Sequence, residues 1–295
     1  MVEKKTAFYA VAYFVLTVLA LCCVLPFVLL IMSSLTEEKA LIQSGYSFWP
    51  AKFGLDSYTY LFRSGSTVFR AYGITVFVTL VGTIAALSLT LPLSYALSRR
   101  ELPGRNILSF IVFFTMLFNG GLVPTYIMYT RYLHINNTLY ALIVPSLLLN
   151  AFYVMMMRAY YNTNIPETVI EAARIDGSGE WRTLLQIALP MSIPMIATMT
   201  LLIGLSYWNS WRNGFYYLTN RELYSIQNIL NTMLQDVQFL KSGQGGSQSS
   251  EIAATLPATG IRMSIAVVGV LPVLIIYPVF QRFFVKGITV GAVKG

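Results

Sequence analysis

Ile165 to Pro190 reads IPETVIEAARIDGSGEWRTLLQIALP. It is the one charge-bearing segment of helical period set between long apolar runs, and its placement decides how the rest of the chain folds. Pro166 suits the first turn of a helix, where its missing N–H costs nothing, and Glu167 then sits at the positive end of the helix dipole. Val169, Ile170, Ala172, Ala173 and Ile175 supply small and apolar contacts for a short helix. Asp176-Gly177 ends it, because Asp-Gly is a turn pair in which Gly accepts positive φ. Ser178 is placed to cap a second short helix carrying Trp181, Leu184, Leu185 and Ala188 on one face, and Pro190 lies where the next apolar run begins.

Around this segment the chain reads as membrane. Of 295 residues, 56% are hydrophobic and 11% charged, well outside the balance of a soluble domain. Apolar runs long enough to cross a bilayer, about 20 residues each, recur along the whole length. The first runs from about Ala7 to Met32 without a small-residue cleavage site, so it is a retained span and not a signal peptide. Cys22 and Cys23 are adjacent inside it and imply neither a disulfide framework nor a metal site. The net charge of +8 comes from positive residues scattered at the ends of apolar runs, which is a topology signal and not a nucleic-acid surface.

The expected fold is all-α: one polytopic domain of six spans at about 8–32, 72–98, 107–130, 139–160, 190–211 and 264–282, with a helix-turn-helix loop at 165–190. An even number puts both termini on one side. The short connection from Arg99 to Asn106 holds three arginines against one, Arg131, in the short connection after it. Short loops weigh most in the positive-inside rule, so the termini and the 165–190 loop are read as cytoplasmic, and 33–71 and 212–263 as extracellular.

Within the third span, Asn119, Gly120, Gly121 and Pro124 interrupt the apolar pattern, either as a packing kink or as a break lining a pathway. In the second outer segment, apolar residues recur at helical spacing from Leu223 to Leu240, either to receive a partner or to fold onto the chain. A low-complexity linker, KSGQGGSQSS, follows at 241–250.

No predicted span contains Asp, Glu or His; all 12 acidic residues lie in connections or tails. Ion-coupled carriers keep ionisable groups in the membrane as relays, so uphill transport by this chain needs energy from outside the bilayer. His134 is the only histidine, and no nucleophile, metal or acid–base constellation accompanies it. The chain is not read as an enzyme. At the end of the fifth span, Tyr207, Trp208, Asn209 and Trp211 combine rings with an amide, as sugar sites do, although an interfacial aromatic belt has the same composition. Asn209, and Asn150 in the fourth span, are polar where lipid contact is unfavourable.

From these residues alone the 165–190 segment is either an ordinary interfacial helical loop or a docking element. The pattern E-A-A-x-x-x-G followed by I-x-L-P stands here as Glu171, Ala172, Ala173 and Gly177, then Ile187, Leu189 and Pro190. It resembles the loop of binding-protein-dependent ABC importers that contacts their ATPases. FNGGLVPTY (118–126) and the tail QRFFVKGITVGAVKG (281–295) are similar to segments of the maltose-type sugar permeases, in the branch tied to lipoprotein-dependent uptake of complex oligosaccharides.

That resemblance implies a bacterial cell-membrane permease subunit importing an oligosaccharide by alternating access. It implies four partners: a second, different permease, two cytoplasmic ABC ATPases that bind the ATP and Mg, and an extracellular solute-binding lipoprotein. No cofactor or metal is implied in this chain. Carried over by position, Glu171 contacts a basic residue in an ATPase groove, Ala172 and Ala173 allow close packing, and Asp176 and Gly177 form the turn. The tail would run between the ATPases. In that family one permease can hold most of the sugar contacts, which leaves open which subunit does so here. An ABC importer for a non-sugar solute, or a self-contained channel or secondary carrier, stand as alternatives.

Overall fold

A computed structural model describes residues 2–62, 65–241 and 258–292. Residues 242–250 of the linker, the side chains of 281–292 in the tail and the whole of 293–295 lie outside that description. Among the described residues the chain is helical, with one isolated β-bridge between Thr36 and Phe53, and it divides into two compact units: 1–68 with 230–272, and 69–229 with 273–295.

In the first unit, α1 (Val2–Ser34) is followed by α2 (Glu38–Ser44) and α3 (Asp56–Phe62). From Phe8 onward α1 buries almost nothing within the chain until its last turn, exposing Phe8, Tyr13, Phe14 and Leu16. Such a surface needs lipid or another subunit to cover it. The expected 33–71 loop is folded. Ser34 and Tyr58 share a hydrogen bond of 2.8 Å, and Glu38 accepts from the backbone N–H groups of Thr259 and Gly260 at 2.9 and 2.7 Å. That carboxylate thereby satisfies two otherwise unpaired donors at the start of the last long helix.

The second unit is built on α4 (Gly65–Ser98), whose hydroxyls bond back along the helix, Thr75 to Ala71 O at 2.8 Å and Ser94 to Thr90 O at 2.6 Å. These two buried hydroxyls are thereby satisfied in apolar surroundings. Around it lie α5 (Arg105–Leu117), α6 (Leu122–Ile127) running into a π-turn at Met128–Tyr132, α7 (Tyr140–Ile143), α8 (Ala151–Asn164), α9 (Glu167–Ile175), α10 (Glu180–Thr183), a π-turn at Leu184–Ala188, α11 (Leu189–Met191), α12 (Ile193–Trp208) and α13 (Arg212–Tyr217). Its core joins Tyr95, Met157, Tyr161, Ile170, Ala188, Met199, Ile203 and Tyr207, so α9 is seated on the same core as the long apolar helices. After a 3₁₀ turn at Arg221–Leu223 come α14 (Ile226–Lys241) and α15 (Ala258–Ala292).

Among the described residues, three helices are long and apolar enough to cross a bilayer, Phe8–Ser34, Thr67–Ser98 and Thr259–Pro278, or up to five if each of two bent pairs counts as one span. The expected third span is one such pair, bent by 112° between α5 and α6. Gly121 adopts φ +89°, and Asn119 Oδ1 accepts from its N–H at 2.9 Å. This is a break in the helix, beyond any packing kink. The other pair, Glu180–Met191 and Ile193–Trp208, is bent by 84°, so the expected fifth span, 190–211, begins at that bend. The 139–160 stretch departs furthest from expectation. Pro145 and a left-handed Ser146 (φ +62°) interrupt it, and the 14 residues of α8 extend about 21 Å, short of the roughly 30 Å of a hydrocarbon core. α14 forms where the apolar stripe predicted it. Ile226 and Ile229 are buried, and Ile226 N–H donates to Thr75 Oγ1 at 2.8 Å; its first turn folds onto the chain.

Candidate functional site

The 165–190 segment forms a rigid angle. Pro166 caps α9 and is not its first helical residue. At the other end Gly177 takes φ +75°, with Gly177 N–H bonded to Arg174 O and Ser178 N–H to Ala173 O, both at 2.9 Å. These paired bonds are a Schellman motif, which satisfies the last carbonyls of α9 and turns the chain. A Cβ at Gly177 would meet nothing within 4 Å, so the glycine is there for its backbone alone.

Burial splits α9 into two faces. Ile170 and Ala173 are buried in the core, while Glu171, Ala172 and Asp176 face outward, beside Ile175 at 86% exposure. Glu171 makes no ion pair or hydrogen bond among the described residues. The second arm differs from expectation in two ways. Gly179, and not Ser178, occupies the cap of α10; Ser178 Oγ instead accepts from Thr183 Oγ1 at 3.1 Å. Leu184 and Ala188 are buried, whereas Trp181 and Leu185 are exposed, so the apolar residues of this arm do not share one buried face. The outer surface of the loop therefore combines Glu171 with Ala172, Ile175, Trp181 and Leu185.

The device that fixes the angle lies outside the motif. Arg174 Nη1 bonds Glu101 Oε1 at 2.6 Å, and Nη2 and Nε reach Glu180 Oε1 at 2.9 and 3.3 Å. Tyr95 Oη donates to Glu180 Oε2 at 3.0 Å. One guanidinium thus ties both arms of the loop to the connection after α4. The hydrogen bond from Arg174 is the main cause holding the Glu101 carboxyl down at about 2, from an ordinary value of 4.5. These groups are 73 and six residues apart in sequence. Only the shorter spacing was available as a local signal.

A second site is a polar cavity of about 650 Å³, where three interruptions of helical structure meet: Asn119–Gly121, Pro145–Leu147 and the end of α12. Irregular backbone at such depth is tolerated where it lines a cavity. Asn209 and Trp211 line it, as does Arg212, which the sequence reading passed over. Tyr207 and Trp208 do not. Tyr207 is buried, donates to Ile143 O at 3.0 Å, and lies so close to Gly82 that a Cβ there would fall 2.5 Å from its ring. Trp208 lines a separate apolar cavity of about 230 Å³ and packs at 6.3 Å from Tyr72. Asn150 lines neither. It caps α8, accepting from Phe152 N–H at 2.9 Å, which answers why an amide stands there.

Comparison with known proteins places this architecture. Residues 5–290 match the family described as binding-protein-dependent transport system inner membrane component. The chain is 35% identical over 293 residues, 99% of its length and 100% of the relative's, to the polygalacturonan/rhamnogalacturonan transport system permease protein YtcP of Bacillus subtilis (strain 168). It is 26% identical, over 94% of its length and 93% of the relative's, to the arabinooligosaccharides transport system permease protein AraQ of Halalkalibacterium halodurans. Its structure is similar, at a TM-score of 0.78 and 28% identity, covering 95% of this chain and 98% of the other, to a chain of a bacterial ABC transporter involved in the import of the acidic polysaccharide alginate. With such a match over nearly its whole length, this chain belongs to the binding-protein-dependent transport system inner membrane component family.

Proposed function

We propose that this chain is one of two different permease subunits of an ATP-driven carbohydrate importer in the bacterial cell membrane. An extracellular solute-binding lipoprotein delivers an oligosaccharide, and two cytoplasmic ABC ATPases bind ATP and Mg and drive alternating access. The chain crosses the bilayer six times with both termini cytoplasmic, its third, fourth and fifth spans at about 107–130, 139–160 and 190–211 standing beside the three long helices. The 165–190 loop then lies on the cytoplasmic side, with 33–71 and 212–263 outside.

The observation that carries this reading is the outward face of α9, which presents an unpaired Glu171 beside Ala172 from a helix whose other face is locked in the core. That combination suits a partner with a basic, apolar groove. Glu171 makes the charged contact, Ala172 keeps the approach close, Ala173, buried on the inner face, lets α9 sit tightly against the chain, and Asp176 and Gly177 set the turn. Motion of the ATPases reaches the spans because Ile170 belongs to the same buried network as Tyr95, Met199 and Tyr207. The oligosaccharide substrate follows from the relatives, whose names specify polygalacturonan, rhamnogalacturonan and arabinooligosaccharides. Asn209 and Trp211 are its candidate contacts in the polar cavity, and Tyr207 and Trp208 support them from behind.

Proteoliposomes holding the complete complex test this reading. Uptake of labelled oligosaccharide is expected only with ATP on the ATPase side and binding protein on the other. Uptake that persists after the ATPase subunits are stripped away would mean a self-contained carrier.

A further inference from the structure

The polar cavity has a charge that neither the helix breaks nor the interfacial aromatic residues explain. Arg212 stands at the first position of α13, exposed on the cavity wall, with no ion pair or hydrogen bond among the described residues. No Asp or Glu lines that cavity. The carboxylate nearest in sequence, Glu222, is engaged by Arg70 at 3.3 Å. A guanidinium without a partner, facing a cavity without an acid, is an open fork of donors suited to a planar anion.

The backbone that carries Arg212 is held on both sides. Asn228 Nδ2 donates to Trp211 O at 2.6 Å, and Asn213 Nδ2 donates to Pro145 O at 2.9 Å. Gly214 admits this arrangement because a Cβ there would overlap the Asn228 amide. Asn137 fixes the far end of α13, accepting from Thr219 N–H at 2.7 Å and Asn220 N–H at 3.0 Å. Arg212 is therefore presented from a pre-organised segment, and Trp211 and Asn209 line the same cavity. A ligand served by all three has an apolar face for the ring, hydroxyls for the amide, and a carboxylate.

We infer that Arg212 is a carboxylate subsite which makes this permease selective for saccharides carrying uronate groups. The inference rests on the carbohydrate-import reading above and adds to it the charge of the sugar. The bidentate contact draws the acidic residue of the chain into the cavity and leaves Trp211 and Asn209 to hold its neighbour.

The test uses the complete complex in proteoliposomes, with tri-galacturonate, its fully methyl-esterified form and a neutral galactotriose as probes. Arg212→Gln is expected to lower tri-galacturonate uptake about tenfold or more, the loss of one charge-assisted contact, with little change for the two uncharged probes. Arg212→Lys should recover part of it, and Arg221→Gln, an exposed arginine outside the cavity, should change nothing. Unaltered tri-galacturonate uptake in Arg212→Gln overturns the inference. So does an equal loss for all three probes, which assigns Arg212 to packing or to a lipid phosphate. Wild-type uptake of the uncharged probes but not the acidic one overturns the subsite and leaves carbohydrate import standing; ATP-dependent uptake of none of them overturns both.

Discussion

Replacing Arg174 by Met keeps the aliphatic stem and removes the guanidinium that ties the loop together. The magnitude follows from the geometry. Arg174 is 34% exposed and its partners Glu101 and Glu180 are 56% and 55% exposed, so water screens both pairs and neither reaches the value of a buried contact. Shared fork-like geometry puts them at the upper end of the surface range, about 1–2 kcal/mol together. That corresponds to a roughly 5–30-fold increase in the population of the undocked loop. Hydrogen exchange on the purified complex reads it directly: amides of α9 and of Ser178–Thr183 should lose protection by that factor in Arg174→Met, while those of α4 stay unchanged. The difference should shrink in 1 M salt. Equal protection in mutant and wild type, or a loss that salt leaves untouched, would refute the assignment of the latch to charge.

Acid should loosen the same contact. The folded Glu101 carboxyl lies near 2, below its ordinary 4.5, so its contribution is whole above about 4.5 and is lost as pH falls toward 2; exchange in α9 should rise in that window for wild type and not for Arg174→Met. Gly177→Ala should destabilise the turn by about 1–2 kcal/mol through its left-handed backbone alone, with Gly177→Asn costing less, as thermal unfolding of the complex will report. Gly82→Ala should cost about 1–3 kcal/mol by overpacking against the Tyr207 ring and should break the Tyr207–Ile143 hydrogen bond. Thermal unfolding of Gly82→Ala and Tyr207→Phe, singly and together, will show whether the two share one cost.

How far the sequence discloses this molecule depends on the range of the interaction involved. The ends of α9 are local events: Pro166, Asp176 and Gly177 act within a few residues, and the helix and turn form where those residues predict them. α1, α4 and the start of α14 follow from unbroken apolar period in the same way. The 139–160 run was not legible as a broken segment, because its composition is as apolar as that of a helix, and Pro145 interrupts it only in concert with a left-handed Ser146. Burial on the second arm was not legible, because Trp181, Leu184, Leu185 and Ala188 recur at helical spacing and nothing local says which of them the core covers. Asn150 looked like a membrane-depth amide in search of a ligand until the helix it caps was seen to begin one residue later.

The cavity residues divide for a similar reason. Tyr207, Trp208, Asn209 and Trp211 are contiguous and share a composition, yet α12 ends at Trp208. The first two therefore keep helical directions into the protein while the last two turn with the chain. No periodicity argument locates that end, since Asn209 lacks a glycine or proline beside it. The Arg174 latch is a tertiary contact across 73 residues, and only the fold brings Glu101 to it.

The central claim is that Glu171 on the outward face of α9 receives the force of ATP hydrolysis. Glu171→Lys reverses its charge on an exposed position that holds no ion pair or hydrogen bond among the described residues, so folding, membrane insertion and binding-protein docking should persist. ATP hydrolysis by the reconstituted complex, stimulated in wild type by substrate-loaded binding protein, is expected to lose that stimulation in this variant. Stimulation at the wild-type level would contradict it.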